Sequence, residues 1–176
     1  MALRLDGRSL SLDDVARFLE GERVTVAPGA WKRVAAARRV VERLLASGKA
    51  IYGVNTGFGR LSNVRIPDAQ IRDLQVNLLR SHAVGVGEPL SCAEARVAVL
   101  LRLNTVVRGH SGITRRLVNH LLRLVNSGVA PVIPEQGSVG ASGDLAPLAH
   151  LSLPLIGFGL LWFKRIAGTP SVAPAR

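Results

Sequence analysis

Ala141-Ser142-Gly143 lies at the centre of Gly137–Asp144, which reads Gly-Ser-Val-Gly-Ala-Ser-Gly-Asp and runs at once into the apolar stretch Leu145–Leu151. Held in a tight bend, such a tripeptide has a reaction open to it. The Gly143 amide nitrogen attacks the Ala141 carbonyl carbon, a five-membered ring closes with the carbonyl oxygen leaving as water, and loss of a second water from Ser142 leaves an exocyclic methylidene. Ala141 is too small to obstruct the attack, Gly143 puts no side chain beside its nitrogen, and Ser142 carries the hydroxyl that leaves. The product is a strong electrophile of a kind the standard side chains do not supply. The same residues also suit a plain turn, with three glycines in seven residues bending the backbone and Ser142 or Asp144 capping the helix that follows.

Two further stretches carry side chains able to do chemistry. Tyr52, the only tyrosine, stands in Ile-Tyr-Gly-Val-Asn-Thr-Gly-Phe-Gly, where an apolar run enters a glycine-punctuated loop. A tyrosine beside a loop is ordinarily a packed ring with its hydroxyl tied to a neighbour. Gly53, Gly57 and Gly59 do not form Gly-x-Gly-x-x-Gly and no Gly-Lys-Ser/Thr follows, which excludes a nucleotide loop. Ser81-His82 ends a helical stripe, a place where histidine commonly caps or is solvated. Cys92, His110 and His120 lack metal-ligand spacing and read as structural, so no metal is expected.

Taken together, Gly-Ser-Val-Gly-Ala-Ser-Gly-Asp-Leu-Ala-Pro-Leu-Ala-His and Tyr-Gly-Val-Asn-Thr-Gly-Phe-Gly resemble the two signatures of the aromatic amino acid ammonia-lyases. The resemblance implies a mainly α fold, the N-terminal part of the fumarase/aspartase-like helical architecture, with short strands and glycine-rich active-site loops. It implies the cofactor 4-methylidene-imidazol-5-one, made from Ala141, Ser142 and Gly143, with Asp144 assisting ring formation by hydrogen bonding. Tyr52 takes the place of the family's base. Ser81 and His82 occupy the pair that faces the substrate ring, where serine-histidine resembles the histidine-selective branch, and Phe58 and Gly59 belong to a loop that closes over it. The implied reaction is elimination of ammonia from L-histidine to give trans-urocanate, in a homotetramer whose sites form between subunits. A phenol has a pKa near ~10, so a tyrosine base needs a site that favours phenolate, which inward-aimed helix N-termini can provide. Two other readings stand beside this one: a phenylalanine or tyrosine lyase or aminomutase, and a non-catalytic helical module that keeps the motifs.

The elements that must position these residues are mostly helices. Ser11 and Asp14 form a capping-box pattern for a helix that Gly21 stops, with Val15, Phe18 and Leu19 on one face. Residues 23–27 alternate like a brief strand, and 30–47 read as a helix with Val34, Val41, Leu44 and Leu45 inward. Residues 68–80 repeat apolar positions at Ile71, Leu74, Leu78 and Leu79. Ser91 and Glu94 cap a helix through Val97, Leu100, Leu101 and Val107, and another runs through Ile113, Leu117, Leu121, Leu124 and Val125. Residues 130–136 form a stiff, extended lead into the reactive tripeptide.

A chain of 176 residues buries one sizeable core. The charge of +11 is spread among apolar residues at helical spacings, as on solvated faces, with no basic stripe interleaved with aromatics, so no nucleic-acid partner is expected. One cysteine and an N-terminus without a signal-peptide core predict a reducing, cytoplasmic setting. Residues 145–163 carry no formal charge, but Pro147, His150, Pro154, Gly157 and Gly159 interrupt them, so a buried helix start is expected rather than a membrane span. The resemblance covers 1–157, read as the N-terminal region of a lyase. Residues 158–176 read as a divergent tail outside the family fold, which predicts an incomplete and inactive chain.

Overall fold

The N-terminal strand is an element that periodicity does not reveal. In the computed structural model, which describes residues 2–139, 143–164 and 170–175, β1 (Leu3–Leu5) pairs in parallel with β2 (Val24–Val26). Alternation places Leu3, Leu5, Val24 and Val26 on one face, and all four are buried. Between the strands, α1 (Leu12–Leu19) starts on a complete capping box. The Ser11 hydroxyl accepts the Asp14 N–H and the Asp14 carboxylate accepts the Ser11 N–H. Phe18 enters the core from this helix, whereas Leu19, expected beside it, is exposed.

Pro28 begins α2 (Pro28–Ala46) two residues ahead of the expected start, its missing N–H costing nothing in the first turn. Ala30 and Val34 are buried, but Val41 and Leu45 are only half-buried and Leu44 is exposed, so the second half of this helix leans away from the core. The centre of the fold is α4 (Cys92–Val106) against α5 (Arg115–Asn126). The first contributes Ala95, Val99, Leu100, Leu103 and Val106, the second Val118, Leu121 and Val125. Each larger aliphatic side chain among them contributes roughly 1.5–3 kcal/mol relative to exposure. Leu101, expected inward, is exposed, and Thr114 caps α5 by accepting the Leu117 N–H at 3.2 Å.

The arginines are not merely a solvated face. Arg33 donates to the carbonyls of Arg108 and Asp6, Arg38 to that of Gly112, and Arg96 to that of Phe18. Arg96 and Arg115 also lie over the rings of Phe18 and Trp31, each 4.7 Å from the centroid. Guanidinium groups thus staple loops and rings whose partners lie far off in sequence.

Short strands tie the later segments together. The extended lead forms β4 (Ala130–Pro131) and β5 (Pro134–Gln136). β5 pairs antiparallel with β3 (Val86–Pro89), which follows α3 (Ile71–His82) directly. The charge-free run from 145 is broken into α6 (Leu145–Ser152), a single 3-10 turn at Leu153–Ile156, and β6 (Leu160–Lys164). No described helix is long and apolar enough to cross a membrane. β6 pairs with β4 on one side and with β7 (Pro170–Pro174) on the other, both antiparallel. α3 lies on α6 and buries no residue fully, leaving an open groove of about 830 Å³ edged by Val76, Leu79, Arg102, Leu117 and Leu155.

Candidate functional site

Asp144 occupies the N-cap position of α6 without a side-chain cap bond. Its carboxylate instead accepts the hydroxyl of Ser138, which joins the two sides of the loop holding the tripeptide. Ala141 and Ser142 lie outside the described residues. Gly143 is described, at φ +104°, a conformation that L side chains rarely adopt, and a Cβ built on it meets nothing within 4 Å. The Ser138–Asp144 bond and the open space beside Gly143 fit these flanking residues to the implied methylidene-imidazolone.

Ser81 and His82 form the last turn of α3. The half-buried His82 ring places Nδ1 2.8 Å from the Leu78 carbonyl oxygen and 3.1 Å from the Ser81 hydroxyl, which itself donates to that carbonyl at 3.0 Å. A carbonyl only accepts, so Nδ1 carries a proton, and in the neutral ring Nε2 is the nitrogen that keeps a lone pair for a ligand N–H.

These two segments meet. The Gly85 N–H donates to Nε2 of His150, on α6, at 3.0 Å. A Cβ built on Gly137 would lie 3.2 Å from the Gly85 Cα and 3.0 Å from the Ala146 Cβ. The chain leaving His82 therefore runs in backbone contact with the start of the reactive loop. Burial of His150 pushes its pKa below the ordinary imidazole value, favouring the neutral ring that this bond requires. His150 carried no assigned role in the sequence. Its signal there is a lone titratable group within 19 uncharged residues.

Tyr52 lies in the loop that follows α2. It is 64% exposed, and its ring meets that of Phe58 edge to face, with centroids 5.7 Å apart. Among the described residues no partner binds its hydroxyl, so the ordinary expectation of a tied phenol does not hold. The loop is organised from within. Asn55, fully buried, accepts the Ile51 N–H at 2.7 Å and donates to the Lys49 carbonyl at 2.9 Å, and its own carbonyl accepts the Ile66 N–H. Gly59 begins a short 3-10 turn, and Gly53 and Val54 border a cleft with α2, the first half of α3 and the start of α5. Tyr52 thus touches Phe58, with Gly59 next along the chain, while the turn after Ser81 and His82 meets the segments flanking the tripeptide through Gly85, Gly137 and His150.

The sequence profile described as "Aromatic amino acid lyase" matches residues 10–175, a span that includes β6 and β7. The chain belongs to that family. Within it, this chain is 48% identical over 165 residues to histidine ammonia-lyase of Staphylococcus aureus (strain JH9), a match covering 93% of this chain and 33% of that protein. Its fold superposes on the crystal structure of Trypanosoma cruzi histidine ammonia-lyase with a TM-score of 0.89 at 40% identity, covering 99% of this chain and 33% of the other. It also superposes on the ergothioneine-degrading enzyme ergothionase of Treponema denticola, with a TM-score of 0.90 at 32% identity over 99% and 34% of the two chains. This chain spans about a third of the length of the curated relatives it matches. The mainly α ammonia-lyase fold, with short strands and glycine-rich loops, is that of the family.

Proposed function

We propose that this chain carries the N-terminal, cofactor-forming part of a cytoplasmic, homotetrameric histidine ammonia-lyase, with the site-bearing residues inside 1–157. The observation that supports the reading most is the meeting of the turn after Ser81 and His82 with the segments that flank Ala141, Ser142 and Gly143 in sequence, through Gly85, Gly137 and His150. The names of the S. aureus and T. cruzi relatives support the choice of L-histidine over phenylalanine or tyrosine. The methylidene-imidazolone would supply the electrophile that makes the substrate's amino group departable.

The chain's own residues take the following parts. His82 offers Nε2 to the N–H of the substrate imidazole, its tautomer fixed by the Leu78 carbonyl. Tyr52 removes a proton from the β-carbon, and Phe58 and Gly59 bound its side of the substrate. Asp144, tied to Ser138, holds the loop in the bend that ring closure needs. Tyr52 is open to solvent, which suits a site completed between subunits, with the base of one chain facing the electrophile of another.

Intact-protein mass spectrometry tests the cofactor: folded protein should weigh two waters less than its sequence, and Ser142→Ala should abolish the loss. An unmodified mass in folded protein removes the reading. Substrate choice is tested in a chimaera that joins residues 1–157 to the remainder of the S. aureus enzyme. His82→Leu should lower kcat/KM for histidine by roughly 5- to 150-fold, the range for a lost hydrogen-bonding partner, and leave phenylalanine turnover nearly unchanged. Equal losses on both substrates would remove the reason for naming histidine.

A further inference from the structure

We propose that His150 is a positioning residue for the lyase site: by accepting the Gly85 N–H it holds the Ser81–His82 turn in register with the helix that follows the cyclising tripeptide. The inference rests on the proposed function, and adds to it a residue that does not touch substrate.

Gly85 needs this partner. The ladder between β3 and β5 opens at Val86 opposite Gln136, one residue later, so no strand takes the Gly85 N–H. Two residues earlier the chain makes a tight turn, with the Val84 N–H donating to the His82 carbonyl at 2.9 Å. His82, Val84 and Gly85 therefore move together, and the bond to α6 fixes where they stand. The junction has no slack. A Cβ built on Gly85 would lie 3.2 Å from the His150 Nε2, 3.2 Å from the Pro134 Cβ and 3.3 Å from the Gln136 carbonyl oxygen. At such separations a displacement of α6 passes to the His82 turn instead of being absorbed.

The role also explains the chemistry of the side chain. Nε2 must be unprotonated to accept an N–H, which leaves the proton on Nδ1. Leucine fills similar space and offers no acceptor, whereas glutamine presents a carbonyl oxygen that can take the same N–H. A histidine kept only for packing would not distinguish the two.

Two measurements test the proposal. In the 176-residue chain, long-range proton–nitrogen NMR should show an acceptor-type Nε2 on His150 and slowed exchange at the Gly85 amide. In the chimaera, His150→Leu should raise KM for histidine roughly tenfold, the effect of one mispositioned hydrogen bond, with the two-water mass loss retained and phenylalanine turnover little changed. His150→Gln should recover most of that loss. If His150→Leu fails to fold, Gly85→Ala loads the same junction and should lower the ratio of histidine to phenylalanine turnover in the same sense. Equal behaviour of the leucine and glutamine variants, equal losses on both substrates, or a freely exchanging Gly85 amide overturns the inference. An unsubstituted chimaera that leaves histidine untouched overturns the lyase reading and this inference with it; an active parent with indistinguishable variants overturns this inference alone.

Discussion

Asn55 is wholly buried in the loop that carries Tyr52, and its amide bridges the Ile51 N–H and the Lys49 carbonyl. Asn55→Ala leaves both groups without that partner, and we expect a loss of about 1–3 kcal/mol, read as a lower urea midpoint with accelerated exchange at the Ile51 amide. An unchanged midpoint would mean that water replaces the side chain freely. His150 sets a different dependence, on pH. Burial lowers its pKa in the folded chain below the ordinary value of 6.5, so between those two values the unfolded chain binds more protons. Stability should therefore be full above about pH 6.5 and decline as pH falls towards the folded value. The check is the urea midpoint between pH 7.5 and 5 for the natural chain and for His150→Gln, whose decline over that window should be smaller.

The helix starts provide the clearest local predictions. α4 begins on Ser91 and Glu94, whose carboxylate accepts the Ser91 N–H at 2.8 Å, while the Ser91 hydroxyl accepts the Glu94 N–H at 3.2 Å. Ser91→Ala should cost about 1 kcal/mol, seen as a lower thermal midpoint, and because α4 is central to the core the whole transition should shift without broadening. The Ser91 side chain, then its backbone N–H, hold the Glu94 carboxyl below its ordinary pKa, as the Ser11 backbone N–H, then the Ser11 hydroxyl and Arg17, do for Asp14. Both contributions are present above the ordinary carboxylate range and are lost as pH falls through the folded values. α3 behaves differently from α4 and α5. Its apolar positions Ile71, Leu74, Leu78 and Leu79 repeat as a helix should, yet none is fully buried, because α6 and the turn after it cover only part of the helix.

Over the whole molecule, that half-covered helix leaves the open groove between α3, α4 and α5, and the net charge is +11. Val97, Leu101, Leu117 and Leu124 remain partly or largely exposed, whereas Leu100 and Leu121 belong to the chain's own core. Apolar patches beyond roughly a few hundred Å² promote association. We expect the 176-residue chain, expressed by itself, to elute from size exclusion above monomer size and to form no urocanate, since the family resemblance places further substrate-binding groups outside the motifs found here. A monomeric species that turns over histidine would overturn this expectation and the view of which residues the chemistry needs.

The sequence by itself determined what is local. Capping boxes at Ser11 and Ser91, the stop at Gly21 and the helical stripes were legible because each depends on residues within a turn or two of one another. The motifs around Tyr52 and Ser142 were legible as a family resemblance. Tertiary structure decided what depends on distant partners. The strand at Leu3–Leu5 exists because Val24–Val26 lies beside it, and Arg33 and Arg96 are staples because carbonyls 75 and 78 residues away come within reach. The pairing of β4 with β6 draws on residues that the sequence reads as a tail. The bond from Gly85 to His150 spans 65 residues, and no spacing rule announces it. A hydrogen bond across such a separation is fixed by where whole helices pack, and helices pack according to the shape and burial of entire faces, which pairs of residues in a sequence do not record.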